Sequence, residues 1–201
     1  MEGIIFYWLL WLAWIYSTFI MVKNHTRLKL SFVILLIIFL SNQYVYIGGF
    51  EVNVAYFIFL LSGYYLVCKG RKKIVLLIFS IATATFAYAS MMLFKLYDPV
   101  WFVFDYRIMF SVIVGSLSLY LGKSISEKYG IFILSVCQGE YVYQKILSQF
   151  HNGLMVGGFL FLDMLVMGCS FMYLCLRLQY VASFIEQMVL KIQKQPKEKQ
   201  G

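Results

Sequence analysis

The chain has 201 residues, of which 62% are hydrophobic and 13% charged, with a formal net charge of +8. A soluble domain carries about 25% charged residues, so this composition excludes a chain that covers itself with polar surface in water. In lipid the backbone must be helical or form a closed barrel. Barrel strands alternate apolar and polar residues, whereas residues 31–40 form a continuous run in which only Ser31 is polar, which indicates an all-α, polytopic transmembrane bundle.

Seven apolar stretches follow one another along the chain. A spanning helix needs about 20 mostly apolar residues, so about seven spans fit and little remains for a soluble domain. The predicted spans are residues 4–22, 30–46, 52–68, 74–94, 106–122, 131–147 and 154–176.

The basic residues occupy alternate gaps between these spans. Fourteen of the seventeen Lys and Arg fall in the first, third and fifth gaps and in the tail. The positive-inside rule therefore predicts an outside N-terminus and an inside C-terminus, which requires an odd number of spans. The densest topology determinant is the third gap, with Lys69, Arg71, Lys72 and Lys73.

The sixth stretch decides the span count. Residues 131–147 become polar in their second half, but if they did not cross, the five bases of the tail would lie outside. We predict a crossing whose polar half faces protein or water. The alternative is a re-entrant or surface segment, with six true spans.

The chain divides into a transmembrane bundle, residues 1–176, and a basic cytoplasmic tail, residues 177–201. The tail begins with apolar residues spaced at helical intervals and is predicted to be disordered from residue 193. The amphipathic part either lies on the inner leaflet or extends the last span and pairs with a partner. The apolar stripe comprises Leu178, Val181, Ile185, Met188 and Ile192.

Asp163 is the most informative polar residue, because it lies near the middle of the apolar residues 153–176. An Asp at the centre of a spanning helix costs roughly 2.5–3.5 kcal/mol, so it is expected to face a partner or a water-filled cavity. It is either a proton or cation site or a structural carboxyl that bonds a neighbouring helix. We expect it to face the sixth stretch, within reach of Gln138, Tyr141 or Lys145. Glu140 belongs to the same polar group, and Lys145 has the alternative of extending to the headgroups.

Gly153, Gly157 and Gly158 form a GxxxG motif with one further glycine. Glycines at this spacing allow two helices to approach closely, so the motif predicts helix packing, with the sixth span as a candidate neighbour.

No catalytic or metal-binding pattern is present in the sequence. The two histidines, His25 and His151, fall in opposite predicted loops and cannot share a metal ion. The basic runs are short and tied to span ends, which argues against nucleic-acid binding and favours anionic headgroups at the cytoplasmic face. No cofactor is expected.

The opening residues 1–14, MEGIIFYWLLWLAW, and the layout of the whole chain resemble the YphA family of small bacillar membrane proteins. The resemblance implies a multi-pass protein of the bacterial plasma membrane. It assigns no activity and transfers no functional residue.

Two functions follow as hypotheses. The first is a non-enzymatic membrane protein that acts through a membrane-protein partner or as a homo-oligomer. The second is a small transporter or proton-coupled permease component that uses Asp163, Glu140 and Lys145. Transport predicts a water-accessible path to Asp163, whereas a scaffold predicts that Asp163 is dry and packed.

Reporter fusions test the orientation. We expect cytoplasmic signals from fusions at Gly201 and within residues 69–73, because the basic gaps then face the cytoplasm. An extracellular signal at Gly201 alone would show that residues 131–147 do not cross.

Overall fold

The computed structural model describes residues 2–69, 74–98, 100, 105–150 and 154–194. Within these residues the chain is predominantly helical, as expected for a helical membrane protein. A five-residue π-helical turn, Tyr16–Ile20, continues the first helix. The α-helices are α1 Ile4–Ile15, α2 His25–Leu40, α3 Val54–Cys68, α4 Ile74–Tyr97, α5 Tyr106–Leu121, α6 Ile125–Leu147 and α7 Phe159–Lys194.

A small sheet was not predicted from the sequence. Strands β1 (Tyr44–Ile47) and β2 (Phe50–Asn53) form an antiparallel hairpin, and β3 (Met155–Val156) pairs with β2 in parallel. Gly48 and Gly49 close the hairpin at φ 58° and 89°, backbone angles that favour glycine. Because residues 41–53 form a turn and this hairpin, α2 ends at Leu40 and not at residue 46.

The helix ends lie at two ends of the bundle. The sheet end carries the three strands, and the basic end carries Lys23, Lys69, Lys123 and Arg177. At the sheet end, the β2–β3 pairing joins the α2–α3 link to the α6–α7 link. At the basic end, the last turn of α3 packs on the first turns of α6, where an added Cβ at Gly130 would lie 2.7 Å from a Val67 methyl group. Helix α6 therefore runs from the basic end to the sheet end.

Helix α6 is the central helix, with contacts to α3, α4, α5 and α7. Every residue from Gly130 to Cys137 is buried. At Gly139 an added Cβ would lie 2.9 Å from Cβ of Tyr88, so α4 and α6 approach closely there. The low hydropathy of α6 is compatible with this position, because several of its polar side chains, among them Ser135 and Glu140, are buried within the protein.

Large apolar side chains cover much of the outer surface, including Phe19, Phe39, Phe79 and Tyr120, all at least 74% exposed. Such a surface is suited to lipid, since it would be an extensive apolar patch in water. Among the described residues, two helical segments are long and apolar enough to cross a membrane: α4 and the part of α7 from Phe159 to Met188. Three further apolar segments are shorter: Ile4–Ile20, Val54–Cys68 and Tyr106–Leu121.

The predicted boundary at residue 176 falls inside a continuous helix. Helix α7 has 36 residues and so a length of about 54 Å, well beyond the roughly 30 Å of a bilayer core. It begins five residues later than the span predicted from residue 154, because β3 and a turn occupy that segment. It includes residues 193 and 194, which were predicted to be disordered; residues 195–201 lie outside the described part of the chain.

Candidate functional site

Asp163 forms the best-connected polar site of the described structure. Its side chain is fully buried, and its two oxygens accept three hydrogen bonds. Oδ1 accepts from the backbone N–H of Phe6 at 2.8 Å. Oδ2 accepts from the backbone N–H of Gly3 at 2.9 Å and from Nη1 of Arg107 at 2.8 Å. One carboxylate thus links α1, α5 and α7 at the sheet end.

The start of α1 is shaped to meet this carboxylate. The first N–H groups of a helix have no partner within the helix, and the helix dipole places partial positive charge there. Gly3 is the N-cap residue, at φ 86°, and makes no side-chain cap bond, so Asp163 supplies the acceptor from another helix. A Cβ at Gly3 would lie 2.8 Å from the Phe159 ring, which explains the close approach of α1 to α7.

Arg107 supplies the positive charge. Asp105 caps α5 by accepting from the backbone N–H of Arg107 at 2.9 Å, which fixes the first turn that carries the guanidinium. The Arg107 side chain is 14% exposed, and its Nε lies 3.9 Å from Asp105 Oδ1 without a hydrogen bond in the described structure. The charge of Asp163 is therefore compensated by a largely buried cation.

Glu140 forms a second, separate site between α4 and α6. Its carboxylate is buried and accepts from the Tyr88 hydroxyl at 2.9 Å and from Nε2 of Gln144 at 2.9 Å. Both donors are neutral groups, unlike the donor set of Asp163. The ring of Tyr88 packs against Phe110 of α5, with the centroids 5.6 Å apart.

The expected contact of Asp163 with Gln138, Tyr141 or Lys145 is wrong. Asp163 is the fifth residue of α7 and lies against α1 and α5, whereas the polar half of α6 faces α3, α4 and β2. Gln138 lies within hydrogen-bond distance of Tyr64 and Thr85. Tyr141 and Lys145 contact the sheet.

The side chains of Tyr141 and Lys145 both lie against Phe50 of β2. The ring of Tyr141 is 6.5 Å from the Phe50 ring, and Nζ of Lys145 is 5.8 Å from its centroid. Both are exposed, so they belong to the surface of the sheet end and not to a polar site in the bundle interior.

The two described glycines of the GxxxG motif, Gly157 and Gly158, do not lie on a helix. Gly157 has φ 76° in the turn after β3, and Gly158 precedes α7. An added Cβ at Gly157 would lie 2.8 Å from Tyr56, so close packing occurs at a turn and not at a helix pair. Gly153 lies outside the described residues.

Of the predicted topology determinants, only Lys69 is described, at the C-cap of α3. Arg71, Lys72 and Lys73 fall outside the described part of the chain.

Sequence reasoning missed Arg107 and Tyr88 as site residues. Arg107 carried a signal, because it is one of three bases on the side that is otherwise poor in Lys and Arg. Tyr88 carried none, since tyrosines are frequent along the chain. Within the described residues no three His, Cys, Asp or Glu side chains gather in a way that could hold a metal ion.

The arrangement can hold three helices together. Both oxygens of Asp163 accept hydrogen bonds, from α1 and α5, while the residue itself belongs to α7. A helical bundle with lipid-suited surfaces and buried, paired carboxylates is the pattern of an integral membrane protein.

The chain belongs to the family of YphA-like integral membrane proteins, whose model matches residues 2–201. The uncharacterized protein YphA of Bacillus subtilis (strain 168) is 31% identical over 192 residues, which cover 93% of this chain and 94% of the relative. No solved structure gives a significant match. The family resemblance expected from the opening residues is therefore confirmed.

Asp163→Asn is expected to destabilise the bundle by about 3 kcal/mol, because removing one member of a buried ion pair leaves the other without compensation. The amide would also point a donor at Gly3 N–H or Arg107. The measurement is the free energy of unfolding in detergent or lipid.

Asp105→Asn is the matched control for this variant. Asp105 is half exposed, and Asn caps helices about as well as Asp, so the change should be within about 0.5 kcal/mol. Equal effects of the two substitutions would contradict the special role of Asp163.

Proposed function

We propose that the protein is a non-enzymatic, multi-pass protein of a bacterial cell membrane that acts through protein partners. The observation that carries the proposal is the state of Asp163, which is fully buried and accepts three hydrogen bonds. A transport site needs access to water and a carboxylate that can exchange its ligand. A carboxylate that is locked by two backbone N–H groups and a guanidinium serves to hold helices together.

We also propose seven spans, with the basic end in the cytoplasm and the N-terminus outside. The direction of α6, from the basic end to the sheet end, supports a crossing by this polar helix. Lys23, Lys69, Lys123 and Arg177 all adjoin the basic end, as the positive-inside rule requires of a cytoplasmic face. Arg177 lies over the Tyr173 ring at 5.0 Å, and such a pair suits the interface.

The partner surface in this proposal is the second half of α7. From Phe159 to residue 176 the helix rises about 27 Å, which is close to the thickness of the hydrocarbon core. The following residues therefore project beyond it as a single helix. Among them the apolar stripe is exposed at four positions: Leu178, Val181, Ile185 and Met188.

A helix whose apolar stripe meets no neighbour within the described part of the chain is typical of one that packs into a partner's groove or against another helix. The polar residues Gln179, Ser183 and Glu186 lie off the stripe, so the helix is amphipathic beyond the membrane. Because this segment adds nothing to the bundle core, its length and pattern are best explained by an interaction.

Ile185→Glu is expected to weaken partner recovery at least tenfold, because a charge replaces an apolar contact at the centre of the stripe. The measurement is quantitative co-purification from native membranes, with isotope-labelled wild type as reference. Ser183→Glu places the same charge on the opposite face and should leave recovery unchanged. Equal recovery with both variants would contradict the partner surface.

Proton-coupled transport is the second candidate, and Glu140 is the residue that favours it. This carboxyl is buried, and its hydrogen-bond donors in the described structure, Tyr88 and Gln144, are neutral. A buried carboxyl with neutral partners can be protonated without breaking an ion pair. Proton flux into proteoliposomes that requires Glu140 but tolerates Gln144→Asn would favour transport over the partner-based role.

A further inference from the structure

A groove opens at the basic end between the end of α1, with its π-helical turn, and the start of α2. Its volume is about 740 Å³. Basic side chains line one end, namely Lys23, His25 and Arg27, and apolar side chains line the rest, among them Trp14, Phe32 and Leu35. A π-helical turn widens a helix locally, and such turns are frequent at functional sites.

Among the described residues, no carboxylate compensates the positive charge of this groove. No Asp or Glu occurs between Gly3 and Phe50 in the sequence, and Glu2 precedes α1 at the sheet end. The described ion pairs all involve Arg107, so within the described residues Lys23 and Arg27 have no carboxylate partner. The Asn24 side chain does not cap α2, which leaves first-turn N–H donors beside the three basic residues.

The groove changes from basic to apolar with depth. Between His25 and Leu35 α2 rises about 15 Å, which is half of a hydrocarbon core and so the depth of one leaflet. A free phosphate ion would use only the basic mouth and leave the apolar part unfilled. An acidic peptide would match the charge but not the apolar wall. A molecule with an anionic head and acyl chains matches both parts.

We propose that this groove is a binding site for one anionic glycerophospholipid. The headgroup phosphate is held by Lys23, His25 and Arg27, and an acyl chain lies along Phe32 and Leu35. Ser31 and Thr18, which also line the groove, lie within 3.4 Å of each other and offer hydroxyl groups below the bases. The site is independent of the partner surface on α7 and of the roles of Asp163 and Glu140.

Native mass spectrometry of the purified full-length chain tests the proposal. The chain is equilibrated with equal amounts of phosphatidylglycerol and phosphatidylcholine that carry the same acyl chains. We expect one phosphatidylglycerol to be retained in preference. Lys23→Gln combined with Arg27→Gln should lower this preference by about thirtyfold, because each of the two bases near an anionic lipid contributes of the order of 1 kcal/mol.

Lys123→Gln combined with Lys128→Gln is the matched control. It removes the same charge at the same end, from the α5–α6 link and the first turns of α6 and outside the groove, so the preference should persist. The exchange of Lys23→Arg with Arg27→Lys keeps the charge and should also retain the lipid. This variant keeps the test decisive if the neutral variant fails to fold.

Competition separates a lipid site from other anion sites. Long-chain phosphatidylglycerol should displace bound lipid, whereas inorganic phosphate, dihexanoyl phosphatidylglycerol and a hexaglutamate peptide should not at equal concentration. Three results would overturn the proposal: no preference in the wild type, equal losses from the groove and control variants, or displacement by any of the three short competitors.

Discussion

The carboxylate of Asp163 is the interaction on which the architecture of the sheet end depends. A buried carboxylate is costly unless it is paired and hydrogen-bonded, and the first N–H groups of α1 are costly unless they find an acceptor. The structure meets both requirements at once, since Asp163 accepts from Gly3, Phe6 and Arg107. Neither α1 nor α5 could move away from α7 without leaving an unsatisfied polar group in a low-dielectric interior.

A second set of polar contacts extends this linkage to α2 and α3. The Tyr7 hydroxyl, one residue after Phe6, lies 2.9 Å from the Ser41 hydroxyl. Asn53 caps α3 by accepting from Ala55 N–H, and its Nδ2 donates to the carbonyl of Ser41 at 2.7 Å. The sheet then joins α3 to the α6–α7 link. The sheet end is therefore held by directional polar bonds.

The basic end is held differently. There Leu77, Ile81 and Ala84 of α4 pack with Ile131 and Leu134 of α6 in an apolar cluster. Packing of this kind is less directional than the polar bonds of the sheet end. The two ends therefore differ in character. The sheet end fixes which helices are neighbours, and the basic end carries the exposed bases, the groove proposed for a lipid and the long end of α7.

Much of the fold could be predicted from the sequence, because apolar runs and bases report directly on burial in lipid. The sequence predicted a helix at each of the seven described α-helices. It predicted α6 from the distribution of Lys and Arg, although the second half of this helix is polar. Boundaries failed where short polar segments formed strands: Tyr44–Ile47 was read as the end of a span, and Met155–Val156 as the start of another.

The partners of Asp163 could not be predicted because the strand before α7 was read as the start of a span. Its apparent depth was set by a span starting at residue 154, which placed it in mid-membrane beside α6. Its actual place is the second turn of α7, where its donors are two backbone groups that no sequence pattern marks. That a buried polar group would face the bundle was predictable from its cost in lipid; which donors would satisfy it was a matter of tertiary structure.

The functional proposal rests on Asp163 as a structural group. Because a carboxylate that holds helices together is not a transport site, the exposed end of α7 is the surface to which the proposal assigns the function. In this account the unusual length of α7 and the bonded start of α1 serve one purpose: a fixed bundle carries a helix that reaches a partner. The groove proposed for a lipid lies at the same end of the bundle.

Amide hydrogen exchange at Gly3 and Phe6, measured on the full chain in lipid, tests the central claim most directly. First-turn N–H groups of a helix normally lack a partner and exchange readily. If Asp163 accepts from them, both amides should exchange as slowly as those in the middle of α1, and Asp163→Asn should release them first. Exchange of both wild-type amides as fast as that of the exposed Glu2 would contradict the account.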